Sequence, residues 1–587
     1  MTVTTVEVRQ IHNGQQLRDG VGQRFVYSKN LTQDLLINLA TYVCEHFVDV
    51  DSAVCQGLSR QYRDELLYVV KEMVFNPPVF CEMFITECGA HVDFGNWSVT
   101  LPEVPKNQTY PKYPIKRPNM RVLQLTDIHI DSDYIVGSVA NCKSFICCHT
   151  DSVTVTGTKP IPAGFWGAQS ACDMPLRTVE NMLQHIGRTE KFDYILVSGD
   201  FVAHTDWNCT KEHHLSVIRT LSELLDHYFP ETPKFYALGN HDSVPVNSFA
   251  PHYVPNKYQP NWVYKQLWEM QNRWISSDQK DSVRYRGSYS TKIMRGLRLI
   301  SLNTGYCETT NLWVYINQTD PDGTMTWLVE QLAAAEARGE YVHIMAHIPP
   351  GDGECLESWS RNYYRVVNRF SKTITAQFFG HIHVDSFSVF YENMNDDTSE
   401  PTNFLFSAPS VSTYAGLNPA YRIYEVVAGN QFEVFDYSTY FLNLSLADGK
   451  KDLQWEFLYS AKETYGLQEI SAKSMNSLID KIITDDRIKQ QFIRRFKRFE
   501  TIIYFVLIID QKLQIIVCRN TVRRDDYECD NACVHDTICA LKKAHHNDSL
   551  CLHTPNYALF SRRPHIANQV NELAYQILSR FSILRLN

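Results

Sequence analysis

The chain lacks any apolar run of the ~18 residues that a transmembrane helix needs. Thr501–Ile509 comes nearest and is cut off by Asp510, Gln511 and Lys512. No membrane-spanning helix is expected. A secretory leader is not visible either: Met1–Asn30 is polar and has no apolar centre. Excess positive charge is absent, with 56 Lys and Arg against 65 Asp and Glu and a net charge of −9. That argues against a nucleic-acid binder relying on a basic face. No paired Cys-x-x-Cys occurs among the 16 cysteines, so a zinc-finger reading has little support.

What the chain does have is cysteine in short loops. Cys142, Cys147, Cys148 and Cys172 lie close together, as do Cys307 and Cys355, Cys529 and Cys533, and Cys539 and Cys551. Such spacing favours disulfides and an oxidising compartment. Asn-x-Ser/Thr sequons at Asn30, Asn96, Asn107, Asn208, Asn317, Asn443 and Asn547 agree with secretion. Set against the polar start, this leads to the expectation that the natural N-terminus is missing or altered. At 587 residues, 44% hydrophobic and 21% charged, the chain has room for roughly two to four domains.

In order, residues 1–30 form an atypical N-terminus. Helical spacing follows in Leu31, Leu35, Leu36, Leu39 and Val43, and again in Leu66, Leu67, Val70 and Val74. With Cys44, Cys55, Cys81 and Cys88, residues 31–90 resemble the later part of a saposin-type domain, a disulfide-stapled helical module that handles lipids. A proline-rich linker spans 91–118. From about Asn119 to 440, strand-like and helix-like stretches alternate, an α/β pattern. Helices are expected at Leu176–Arg188, Glu212–Tyr228, Trp262–Ile275 and Thr324–Arg338, with a β-rich latter part. Residues 441–587 read as a helical, cysteine-containing C-terminal domain, with long helical runs at Leu453–Tyr465 and Ser474–Arg498. Glu500–Asn520 reads as an inserted hairpin or a non-native insertion.

Five apolar runs in the α/β region each end in a polar cluster. Val122–Leu125 leads to Asp127 and His129. Tyr194–Val197 leads to Gly199 and Asp200, and Lys234–Leu238 to Gly239, Asn240, His241 and Asp242. Val342–Met345 leads to His347, and Ala376–Phe379 to His381 and His383. Strand ends bearing Asp, Asn and His can converge on one rim of a sheet, where open α/β folds keep their sites. In Asp127–His129 and His381–His383, the i, i+2 spacing puts both side chains on one face of an extended segment. Mixed nitrogen and oxygen donors suit Zn²⁺, with Mn²⁺ or Fe as alternatives. Two ions would need a bridging carboxylate, and Asp200 is the best placed.

This ordered set resembles the calcineurin-like metallophosphoesterases over about 119–430. The resemblance implies an α/β fold with a β-sandwich flanked by helices. It assigns Asp127, His129, Asp200 and His383 to one metal and Asp200, Asn240, His347 and His381 to the other. Two such cations lower the pKa of a shared water and neutralise charge on a phosphoryl transition state. His241, one step past a ligand, is the natural general acid, and His204 is a second unassigned histidine.

Further runs, from Ala203 to Trp207, Gly239 to Phe249, His347 to Gly351, Ala376 to Asp385 and Thr413 to Pro419, are similar to the acid sphingomyelinase family. That likeness implies a lysosomal or secreted phosphodiesterase with two Zn²⁺, cleaving sphingomyelin in membranes or lipoproteins to ceramide and phosphocholine. The saposin-like segment would meet the membrane surface. The family also implies the bonds Cys142–Cys147, Cys148–Cys172, Cys307–Cys355, Cys529–Cys533 and Cys539–Cys551. Cys44 and Cys55 can pair locally, while Cys81, Cys88, Cys209 and Cys518 are left over. A phosphocholine substrate calls for an aromatic face, for which Tyr414, Tyr306, Trp207 and Trp313 are candidates. The alternatives are a related enzyme acting on nucleotides or other soluble diesters, and an inactive saposin-type lipid binder.

Overall fold

The computed structural model describes residues 31–47, 50–74, 96–105, 119–142, 144–429, 431–447, 449, 453–496, 504–509, 512–517 and 531–551. Residues 1–30, the stretch 106–118, Cys81, Cys88, Cys518, Cys529 and the side chain of Cys533 lie outside the described residues, and with them the expectations placed there.

Three helices come first: α1 (Leu31–Phe47), α2 (Ser52–Gln61) and α3 (Arg63–Val74). A Cys44–Cys55 bond joins α1 to α2. These helices rest on the body of the molecule. Gln61 Nε2 donates to Cys209 O at 2.9 Å and Tyr62 Oη to Val246 O at 2.6 Å. Val69 packs with Ala250, Val254 and Trp313.

The body is a sandwich of two six-stranded sheets. In chain order its main elements are β1 (Met120–Leu125), α4 (Leu176–Thr189), β2 (Tyr194–Val197), α5 (Lys211–Tyr228), β3 (Lys234–Tyr236), α6 (Asn261–Gln271), β4 (Tyr289–Met294), β5 (Leu297–Ser301), α7 (Thr324–Ala337), β6 (Tyr341–Met345), α8 (Glu357–Arg369), β7 (Ile374–Phe379), β8 (Ser386–Tyr391), β9 (Pro401–Ser407), β10 (Ala420–Val426), β11 (Val434–Leu442) and β12 (Trp455–Ser460). The first sheet has the order β12-β11-β10-β1-β2-β3, and the second β8-β9-β7-β6-β5-β4. Strands β1, β2 and β3 run parallel, as do β5, β6, β7 and β9.

The parallel strands are near-continuous apolar runs because both of their faces are covered. On α4, Val179, Met182, Leu183 and Ile186 recur at helical spacing and turn inward. Met325, Leu328 and Leu332 of α7 join Trp359 and Tyr363 of α8 in a core with Val342 and Ile344 of β6. Between the sheets, Phe378 meets Tyr424 with ring centroids 4.7 Å apart, and Gln124 Nε2 donates to Phe379 O at 3.0 Å.

The latter part departs from expectation in two places. The expected break at 440/441 falls inside β11, and the first sheet takes its edge strand β12 from beyond it. The helical run expected over Leu453–Tyr465 is instead a strand over Trp455–Ser460. Trp455, Phe457 and Tyr459 alternate along it, and such aromatics suit a strand when a partner such as β11 is available. The remainder is α9 (Ala461–Tyr465), followed by α10 (Ala472–Thr484) and α11 (Asp486–Phe496). These last two break at Asp485, whose carboxylate accepts from the Arg487 and Ile488 amides. Tyr504–Ile509 and Lys512–Val517 pair as an antiparallel hairpin, and α12 (Asn531–Lys542) follows. No described helix is long and apolar enough to cross a membrane.

Candidate metal centre

The loops leaving the C-terminal ends of β1, β2, β3, β6 and β7 meet on one rim of the sandwich. They are stitched by main-chain hydrogen bonds: Asp127 N donates to Gly199 O at 3.1 Å, and Ile128 N to Asp200 O at 2.9 Å. The His381 amide donates to Asp127 Oδ1 at 2.9 Å, and the His241 amide to Asp200 Oδ1 at 2.8 Å. Two glycines permit the approach. A Cβ at Gly239 would lie 2.1 Å from Asp200 Oδ1, and one at Gly380 would lie 2.0 Å from Thr126 Oγ1.

The seven expected ligands come together here. His129 Nδ1 donates to Val202 O at 2.8 Å, which leaves the Nε2 lone pair facing His383 Nε2 at 3.1 Å and Asp200 Oδ2 at 3.5 Å. His383 Nε2 is 3.4 Å from Asp127 Oδ1. His347 Nδ1 donates to Ser198 O at 2.7 Å, so its Nε2 faces Asn240 Oδ1 at 3.0 Å and Asp200 Oδ2 at 3.1 Å. His381 has the opposite arrangement, with Nδ1 3.0 Å from Asn240 Oδ1 and Nε2 3.2 Å from Glu354 Oε2. Asn240 Nδ2 donates to Asn247 Oδ1 at 2.9 Å, which turns the amide oxygen inward.

Two donor groups overlap at Asp200: Asp127, His129 and Asp200, and Asp200, His347 and His381, each with its donor atoms within 4.8 Å of one another. The chemistry of the set fits cations. Imidazole lone pairs and carboxylate oxygens crowd together with few protons between them, and each outer nitrogen of His129, His347 and His381 is committed to an oxygen. Burial, reinforced by His204, holds His129 well below the usual histidine range, so it stays neutral as a ligand must. Burial alone would raise Asp200, but His347 and His241 hold it well below the usual carboxylate range.

His241 and His204 flank this group. His241 Nδ1 lies 3.2 Å from Asp206 Oδ1. Burial works against a charged ring there, yet the Asp206 and Asp200 carboxylates outweigh it and hold His241 up to about 10. His204 Nδ1 contacts Asp173 Oδ2 at 2.8 Å. Its ring is sandwiched between His129, at 4.0 Å, and Tyr414, at 3.9 Å, and its donor atom lies within 4.8 Å of those of His129 and His383. Tyr414 thus borders the site with one face on His204, and its hydroxyl donates to Phe145 O at 3.0 Å.

The other aromatic candidates lie elsewhere. Tyr306 is fully buried and donates to Asp322 Oδ2, and Trp313 is buried with its indole N–H on Ser248 Oγ. Trp207 packs against Gly57 of α2. Cys142–Cys147, Cys148–Cys172, Cys307–Cys355 and Cys539–Cys551 are bonded, while Cys209 is free and buried, with its thiol pushed up to about 12 by burial.

Sequence reasoning passed over several partners. Asp242 accepts from the Gly239 amide at 2.7 Å and the Phe201 amide at 2.9 Å. Asp206, Asp173, Asn247 and Glu354 orient His241, His204, Asn240 and His381. Asp206 and Asp242 stood inside quoted motifs, but nothing in a linear sequence pairs Asp173 with a histidine that follows a different strand.

A family model, calcineurin-like phosphoesterase, matches residues 120–385. Sphingomyelin phosphodiesterase 1 of Caenorhabditis elegans is 42% identical over 537 residues, covering 90% of this chain and 90% of that protein. The sphingomyelin phosphodiesterase of Homo sapiens is 38% identical over 462 residues, covering 78% of this chain and 72% of that one. Among solved structures, a dimetal phosphatase from Danio rerio aligns at 12% identity with a TM-score of 0.36, over 55% of this chain and 95% of that one. The matched span contains all seven converging donors, and the identity to the nematode protein extends over 90% of the chain: the chain belongs to the sphingomyelin phosphodiesterase family of calcineurin-like phosphoesterases.

Proposed function

We propose that the chain hydrolyses sphingomyelin to ceramide and phosphocholine, with two zinc ions per chain. Asp127, His129, Asp200 and His383 would hold one ion, and Asp200, Asn240, His347 and His381 the other. When bound, such ions supply a lowered pKa for the attacking water and positive charge for the phosphoryl oxygens. The observation that carries the reading is the overlap of two mixed N/O donor groups at Asp200, in a chain 42% identical to a sphingomyelin phosphodiesterase.

His241 is the proton donor. Asp206 takes its Nδ1 side, which favours the protonated ring and leaves Nε2–H for the departing ceramide oxygen. His204, fixed by Asp173, is the second candidate and closes that side of the site with Tyr414. Helices α1–α3 would meet lipid surfaces, and the disulfides suit a lysosomal or secreted enzyme.

The test is turnover of labelled sphingomyelin in mixed micelles against a nucleotide diester by the purified chain, with metal content measured. Sphingomyelin should be the better substrate, about two zinc ions should be found per chain, and a strong chelator should abolish activity. Full activity in metal-free protein, or a preference for the nucleotide diester, would overturn the proposal.

A further inference from the structure

The first turn of α5 carries a buried histidine that the reaction above leaves without a task. His214 is 1% exposed and lies on the inward stripe of α5 with Val217, Ile218, Leu221 and Leu225. It sits where an apolar side chain would complete the stripe. Its place is set by the fold. Thr210 caps the helix, with its side chain accepting from His213 N at 3.2 Å, and the His214 amide donates to Thr210 O at 3.0 Å. The ring meets Trp262 of α6 edge-on, with centroids 6.3 Å apart.

His214 Nε2 lies 3.1 Å from His241 O, so that nitrogen carries the proton and donates to the carbonyl. Nδ1 is then a bare lone pair, buried with no hydrogen-bond partner. Burial, with His213 alongside, brings the ring down to about 4, which keeps it neutral well above that. A bare buried nitrogen is unfavourable, and an apolar residue would avoid that cost. What the histidine adds is the bond to His241. The other holds on His241 show why that bond matters. Its amide donates to Asp200 Oδ1 at 2.8 Å, and its ring Nδ1 lies 3.2 Å from Asp206 Oδ1. The peptide that follows is more loosely tied: Asp242 N reaches Gly239 O at 3.4 Å. His214 therefore fixes the end of the residue that the amide bond leaves free to turn.

We propose that His214 is a positioning residue: by gripping the His241 carbonyl it sets the peptide plane from which the His241 ring is aimed at the departing oxygen. The proposal rests on the reading of His241 as proton donor. Asp206 and His214 flank the start of α5 at Lys211, so one short segment holds His241 by its ring and by its backbone. Helix α2 is seated on the same segment, through Trp207 against Gly57 and through Gln61 Nε2, which donates to Cys209 O at 2.9 Å. Proton transfer requires the donor within hydrogen-bond reach of the leaving oxygen, and a displacement of about 1 Å can cost on the order of 10²-fold. Without the carbonyl bond the ring keeps Asp206 but swings with a looser peptide.

The experiment uses two substrates that share the phosphocholine half and differ in the leaving group: sphingomyelin in mixed micelles and 4-nitrophenyl phosphocholine. The full-length holoenzyme is compared with His214→Gln, His214→Asn and His214→Leu, with metal content and Tm measured alongside. A glutamine amide nitrogen has about the reach of imidazole Nε2, an asparagine amide nitrogen only about that of Nδ1. His214→Asn and His214→Leu should lower kcat on sphingomyelin about tenfold or more at unchanged KM, with the metals retained and turnover of 4-nitrophenyl phosphocholine changed less than about threefold. His214→Gln should restore most of the sphingomyelin rate. If His214→Leu does not fold, the Asn and Gln pair makes the same comparison. An equal loss on both substrates, or the same loss from Gln as from Asn, would overturn the proposal, because packing rather than the hydrogen bond would then be at work. So would unchanged kinetics in all three. His241→Ala run in parallel separates the failures. If it too falls equally on both substrates, the proton-donor reading is refuted; if it discriminates between them while the His214 variants do not, only the positioning role is.

Discussion

Glu65 offers a test of how the N-terminal helices are held to the body. It lies on α3, is 2% exposed, and its Oε2 accepts from Ser248 Oγ at 2.6 Å. Ser248 Oγ in turn accepts the Trp313 indole N–H at 2.8 Å. Burial raises this carboxyl from 4.5 to about 8, against the pull of Ser248 and the Leu312 and Trp313 amides. The sign follows from linkage. Below pH 4.5 the group is protonated in both the folded and unfolded states, and its contribution is fully present. As the pH rises, the unfolded chain releases the proton first, so stability falls, and the contribution is lost once the pH passes about 8. At 1.36 kcal/mol per pH unit over roughly three and a half units, the loss is at most about 5 kcal/mol. Thermal unfolding at pH 5 and pH 8 should therefore show the wild type losing more Tm than Glu65→Gln. The variant keeps the shape and the contact with Ser248 but cannot ionise. Hydrogen exchange in α3 should show the same difference. If the two proteins lose Tm in parallel, Glu65 does not carry the pH dependence and the buried-carboxyl argument is wrong.

Two further predictions concern the same side of the molecule. His241→Ala should keep its metals and lose about 10²–10⁴-fold on sphingomyelin. It should lose far less on an aryl phosphodiester, whose leaving group hardly needs a proton, and an equal loss on both would shift the acid role to His204. Gly57→Ala would bring a methyl group within 2.6 Å of the Trp207 Cβ and carbonyl oxygen, next to Asp206. It should lower Tm by the few degrees that about 1–3 kcal/mol of overpacking implies, and an unaltered Tm would mean that α2 is not seated on that turn.

Much of this centre could be read from the residues alone, because apolar run followed by polar cluster is a local pattern. Each of β1, β2, β3, β6 and β7 is a buried run, and each candidate ligand follows it within a few residues. The chain was less legible where the answer depends on partners distant in sequence. Leu453–Tyr465 has residues that suit either a helix or a strand, and the free edge of β11 decides between them. Tyr306 and Trp313 look like open aromatic faces in a linear reading, yet Asp322 and Ser248 draw them into the core. Asp173 and Glu354 become partners of His204 and His381 only once the disulfide-linked loops fold over the rim.

The backbone of the centre was not legible at all, and its conformation explains how donors can gather so tightly. Asp127, His129, Asp200, His381 and His383 all have positive φ, between 44° and 70°. Side chains with a Cβ avoid that region, at a cost of about 1–3 kcal/mol each. Nothing in the motifs signals this, since the residues concerned are Asp and His rather than glycine. The strain is tolerated because neighbouring loops over-determine it: the His381 amide is held by the Asp127 carboxylate, the His241 amide by Asp200, and the Gly239 and Phe201 amides by Asp242. These anchors rise from strands buried between helices and the facing sheet, so relaxing one loop would disturb the packing of several. The same anchors tie the donor-bearing loops to the sandwich, so much of the cost of ordering them is met by its folding.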